Sequence, residues 1–122
     1  MTVTNQFAAH VGLDWADKKH DVCVQFKNGE RVFHVIEHTA EALDAWLTEL
    51  HQKVKGRIAI ALELKKGPVV YALQKYPFIT VFPVHALSLA RYRQAFSPSG
   101  AKDDPQDAEL ALELMLRYPQ KI

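Results

Sequence analysis

The chain of 122 residues has a single cysteine, Cys23. That excludes an internal disulfide framework and a zinc site built from cysteines. Charge of one sign is also missing, since 15 Lys and Arg stand against 14 Asp and Glu for a formal net charge of +1. A chain so close to neutral does not coat nucleic acid by charge alone, so any such role must come from local patches. Long apolar runs are absent. Stretches such as Ile58–Leu62 fall far short of the roughly 20 residues that cross a bilayer. The polar start, Met1 to Phe7, lacks a basic segment followed by an apolar one, so no secretory signal is read. The six histidines form no H-x-x-x-H pair on a helical segment and show no other zinc spacing. There is no glycine-rich phosphate loop, internal repeat or low-complexity segment. What is present is 48% hydrophobic residues, enough for the core of one domain, expected to be soluble and cytoplasmic.

The first half reads as strands. Phe7–Asp14 is mostly apolar and ends in Gly12-Leu13-Asp14. Asp21–Lys27 alternates, with Val22, Val24 and Phe26 on one face, and Asn28-Gly29 then supplies a hairpin turn. Arg31–Glu37 alternates again, with Val32, His34 and Ile36 opposite Phe33 and Val35. A three-stranded antiparallel meander is expected. Thr39 is placed to cap a helix over Ala40–Gln52, where Leu43, Trp46, Leu47 and Leu50 recur at helical spacing. Arg57–Glu63 is apolar for five residues and then acidic, the pattern of a strand buried on both faces that delivers a carboxylate at its end. Gly67-Pro68 opens a short helix. Phe78–Phe82 is a further short strand stopped by Pro83, and His85–Phe96 a helix with Arg91 and Arg93 on a basic side. After the Ser97–Gly100 loop, a last helix covers about Pro105–Arg117. Three antiparallel strands followed by alternating helices and strands make an α/β mixed five-stranded sheet flanked by helices, the layout of an RNase H-like domain.

Four acids stand out by position. Asp14 ends the first strand, Glu63 ends the fourth, and Asp104 and Asp107, three apart, open the last helix. If that helix packs at the strand ends, four carboxylates converge. Their mutual repulsion is relieved by Mg²⁺, a hard cation that prefers oxygen ligands. Two such ions about 3.5–4 Å apart stabilise both attacking and leaving oxygens in phosphodiester chemistry. Each acid also has a plainer reading. Asp14 could close its strand or pair with Lys18, and Asp104-Pro105-Gln106-Asp107 is a helix start close to a capping box. Glu63 is harder to read as structural, because a buried acid needs a partner. Lys18, Lys19, Lys65, Lys66 and Lys102 flank these acids, and Arg91 and Arg93 extend the strip, placing positive charge where phosphates would approach. Most histidines are expected at the surface, although His20 lies near Asp14. Cys23 is expected to be a small buried side chain rather than a nucleophile, and Ser97 and Ser99 to serve a turn.

Three stretches resemble a known family. Val11-Gly-Leu-Asp14-Trp-Ala-Asp-Lys-Lys-His-Asp-Val22 is similar to the opening of the DEDD transposases, the insertion-sequence one-ten family with a RuvC-like N-terminal domain. Leu62-Glu63-Leu-Lys-Lys-Gly67-Pro-Val-Val-Tyr71-Ala-Leu73 resembles the second motif. The stretch from Ala90 to Glu109 resembles the third, with its K-x-D-x-x-D-A core at Lys102, Asp104, Asp107 and Ala108. The motifs occur in order and span nearly the whole chain. By this resemblance the DEDD residues are Asp14, Glu63, Asp104 and Asp107, with Asp103 a neighbour.

The resemblance implies recombination of DNA with a divalent metal, Mg²⁺ or Mn²⁺, and an RNA from the element that guides target and donor choice. It also implies a homo-oligomer in the full-length protein, no membrane, and a separate C-terminal domain bearing a catalytic serine. Residues 1–122 are then expected to be the RuvC-like domain alone, with metal binding and part of the nucleic-acid surface but without the serine step. A nucleic-acid-binding or oligomerisation module without chemistry is the alternative. A sugar-kinase or actin-like nucleotide site also begins with a Gly-x-Asp strand, but the second phosphate-binding hairpin and second domain it needs are not found.

Overall fold

Alternation along the first half of the chain produces three antiparallel strands, β1 (Ala9–Asp14), β2 (Lys19–Phe26) and β3 (Arg31–Glu37). The computed structural model describes residues 7–16, 18–63, 69–96 and 104–117. Helix α1 (Ala40–Val54) follows, capped by Thr39, whose side chain accepts from the Ala42 N–H at 3.0 Å. It ends at Lys55, which adopts the left-handed conformation at φ 53°. Then come β4 (Ile58–Glu63), α2 (Val69–Gln74), β5 (Ile79–Val84), α3 (Ala86–Phe96) and α4 (Asp104–Arg117). The sheet order is β3-β2-β1-β4-β5, with β4 parallel to both β1 and β5. This mixed five-stranded sheet flanked by helices is an α/β fold of the RNase H-like kind.

Strand boundaries differ from the sequence reading at one instructive place. Pro83 does not stop β5, which continues to Val84 with Pro83 opposite Leu62. Proline lacks an N–H, which a central strand would need, but β5 is an edge strand. The opposite edge, β3, is open in a different way, with Phe33 51% and Val35 59% exposed.

Period-two alternation divides the buried residues between two layers. On one face Val11, Leu13, Val22, Val24, Ile58, Ile60 and Leu62 meet Leu43, Leu47 and Leu50 of α1 and Leu73 of α2. Burying each large apolar side chain is worth about 1.5–3 kcal/mol. On the other face the sheet offers small residues, Cys23, Ala59 and Ala61, to Leu89 of α3 and to Ala108, Leu112 and Met115 of α4. Gly12 sits in this second layer. A Cβ built on it would lie 1.9 Å from the Ala108 carbonyl oxygen and 2.8 Å from the Leu112 nitrogen. No helix among the described residues is long and apolar enough to cross a membrane.

Gly12→Ala is expected to cost about 1–3 kcal/mol, the usual penalty for overpacking against atoms that cannot swing away. A urea midpoint equal to wild type would mean that α4 does not rest on β1 as described.

Candidate active site

Strand register and helix packing together decide where the acids go. β1 and β4 run parallel with Leu13 beside Leu62, so the next residues along each, Asp14 and Glu63, stand at neighbouring strand ends. Leu13 and Leu62 belong to the α1 face, and alternation assigns Asp14 and Glu63 to the α4 face with Gly12 and Ala61. Asp14 is 8% exposed. Asp107 lies in the first turn of α4, one residue before the Ala108 whose carbonyl comes down on Gly12.

Asp107 is the most constrained of the set. Its side chain is 1% exposed, and its Oδ1 accepts from the Arg93 Nε at 2.8 Å. Its Oδ2 is buried with no hydrogen-bond partner among the described residues. A buried carboxylate without a cation is costly, so the Arg93 pairing is what makes its burial tolerable. Asp104 is the first residue of α4, and its side chain lies outside what the structure describes, as do Lys65, Lys66 and Lys102. Lys18, Lys19 and Arg91 are exposed. Arg93 is turned inward onto Asp107 instead of extending an open basic strip. Among the described residues, no three His, Cys, Asp or Glu side chains form a group that could hold a metal ion.

Two features escaped the sequence reading. Asp21 is directly across from Asp14 in the β1–β2 register and 6% exposed, so a second acid stands next to the first on the α4 face. Its position was available in the alternation of β2, where Asp21 and Cys23 oppose Val22 and Val24. The histidines are the second case: His34, His38 and His85 are exposed, as expected of most, but His10 and His20, which lie within strands, are buried. His20 stacks on Trp15, with ring centroids 3.6 Å apart, and reaches His38 at 3.1 Å. Cys23 is buried as expected, and burial with Glu109 nearby pushes its thiol up to about 11, which removes it as a nucleophile. Arg31 pairs with Glu109 and Glu113, tying β3 to α4.

Burial, with His38 beside it, lowers the His20 imidazole from 6.5 to about 4. Between those values the unfolded chain binds a proton that the folded chain does not, so the stability held by neutral His20 is full above 6.5 and falls as pH drops toward 4. His10 is lowered by burial and acts in the same direction. Denaturation midpoints are expected to decrease between about pH 7 and about pH 5, with part of that decrease absent in His20→Asn. Identical pH profiles for the two proteins would remove His20 as a contributor.

Comparison with known proteins bears on this arrangement. A family model described as transposase, that of the IS110-type DEDD proteins, matches residues 11–122. A Sinorhizobium fredii protein carrying a transposase name, y4uE, is 36% identical over 124 residues, which takes in 97% of this chain and 34% of that protein. A Streptomyces coelicolor protein described as a mini-circle transposase for IS117 is 33% identical over 111 residues, 87% of this chain and 26% of that one. The chain thus spans about a third or less of the length of these relatives. With the five-stranded sheet, the acid-bearing strand ends and a match running from Val11 to the last residue, the chain belongs to the IS110-type DEDD transposase family.

Proposed function

We propose that residues 1–122 are the RuvC-like metal-binding part of a DNA transposase, with Asp14, Glu63, Asp104 and Asp107 as the ligands of Mg²⁺ or Mn²⁺. The observation that carries this reading is Asp107, a carboxylate 1% exposed with one oxygen on Arg93 and the other buried without a partner among the described residues. An ordinary helix cap is solvated and needs no such burial. The donor chemistry also fits, since carboxylate oxygens are what a hard divalent cation takes. When bound, the metal would polarise a phosphodiester and activate the attacking oxygen.

The protein's own residues supply placement. Asp14 and Glu63 are fixed by strand register and Asp107 by the packing of α4 on β1. Arg93 pairs with Asp107 and so holds α3 to α4. Lys18 and Lys19, exposed where β2 begins beside the end of β1, offer charge to a DNA phosphate, and Lys65, Lys66, Arg91 and Lys102 complete the proposed strip. Family membership supports a cytoplasmic protein acting on DNA, with a guide RNA, a homo-oligomer and a separate serine-bearing domain completing recombination.

A second reading is favoured by one observation. The three described acids do not gather into a metal-holding group, and Asp107 already has a cation in Arg93. Under that reading these residues bind nucleic acid or mediate assembly, and chemistry occurs elsewhere.

Calorimetric titration with Mn²⁺ separates the two. Binding heat in wild type that disappears in Glu63→Gln is the expected result. Heat in neither protein would overturn the metal reading in favour of the second. For the basic strip, the double change of Lys18 and Lys19 to Ala is expected to make the plot of log affinity for DNA against log salt shallower by about 0.9 for each phosphate no longer neutralised. An unchanged slope would take both lysines off the DNA.

A further inference from the structure

The chain leaving Asp14 is gripped from the back of the sheet. The Ala16 N–H donates to His20 Nδ1 at 3.0 Å. The Trp15 ring stacks on the His20 ring at 3.6 Å with the planes 14° apart. His38 Nδ1 lies 3.1 Å from His20 Nε2, and the His38 backbone N–H donates to the Lys18 carbonyl at 3.1 Å. His20 itself is 1% exposed.

These bonds settle the protons. His20 Nδ1 accepts from Ala16, so its proton is on Nε2, which donates to His38 Nδ1. Filling a core needs only an apolar ring. Bonding in opposite directions from its two nitrogens needs an imidazole in one tautomer. The His20 ring so holds Trp15 and Ala16, the two residues that immediately follow Asp14. Trp15 packs on the α1-side core, whereas Asp14 is assigned to the α4 face. The grip therefore works from the face of the sheet opposite the one assigned to the carboxylate.

We propose that His20, supported by His38, is a positioning residue that locks the backbone after Asp14 and so presents the Asp14 carboxylate at the strand end. This rests on the carboxylate reading above. Residues that orient a metal ligand without touching the metal commonly change affinity by roughly 10–100-fold when altered.

Two near-isosteres test it. His20→Asn places an amide oxygen near the position of Nδ1 and keeps an acceptor for Ala16. His20→Gln places its polar atoms near Nε2 and loses that acceptor. Mn²⁺ affinity measured by calorimetry is expected to fall about tenfold or more in His20→Gln, with His20→Asn recovering most of the loss. A purely structural His20 would lower the denaturation midpoints of both variants and leave Mn²⁺ affinity of the folded protein unchanged in both, which overturns the proposal while the carboxylate reading stands. If wild type binds no Mn²⁺, the carboxylate reading fails and the positioning role fails with it. If His20→Gln does not fold, exposed His38 makes the same comparison: His38→Ala is expected to weaken Mn²⁺ binding and His38→Asn to retain it, and equal affinities overturn the proposal. Nitrogen-15 NMR of wild type gives a check without metal, in which His20 must show a bare Nδ1 and a protonated Nε2. The opposite tautomer overturns the grip itself.

Discussion

Backbone rests on backbone where α4 crosses β1, and the candidate site depends on that close approach. Glycine is the only residue type that admits the Ala108 carbonyl so near to position 12, and Ala59, Ala61 and Cys23 around it are small enough to let the helix settle. The depth of α4 then dictates the electrostatics. Asp107 precedes Ala108 and is carried out of solvent with it, which obliges Arg93 on α3 to follow. Farther along the same helix, Glu109 and Glu113 meet Arg31 from β3, so α4 is pinned by charge on two sides as well as by its apolar face. Ion pairs at partly exposed positions contribute little to net stability, but they do select one orientation of a helix over its neighbours.

The two faces of the sheet serve different purposes. The α1 face carries the large branched side chains and supplies most of the apolar burial. It also carries Trp15 and His20, whose interactions fix the connection after Asp14. The α4 face has few large sheet residues and holds Asp14 and Asp21 side by side at its end.

Much of this was readable in the chain itself. The meander, the order of elements, the N-cap at Thr39 and the position of Asp14 and Glu63 at strand ends follow from period-two and helical spacing. Pro83 misled because a proline's effect depends on whether its strand lies at an edge, and edge position is a property of the whole sheet. The inward turn of Arg93 is not legible, because a helical pattern shows which residues share a side, not which of them a second helix will cover. Asp21 carries no strand-end signal, since it lies within a strand and matters through its cross-strand neighbour. His20 needed three segments at once: the residues after Asp14, the start of β2 and the turn into α1.

The two borders of the sheet are chemically unequal. Along β5 the proline at position 83 breaks the outer row of donors, so a visiting strand would find a gap in the ladder. Along β3 no proline intervenes, and Phe33 and Val35 stand out from it. Lateral growth of this sheet therefore has a direction: an added strand, native or aberrant, would find an unbroken row of donors only beside β3.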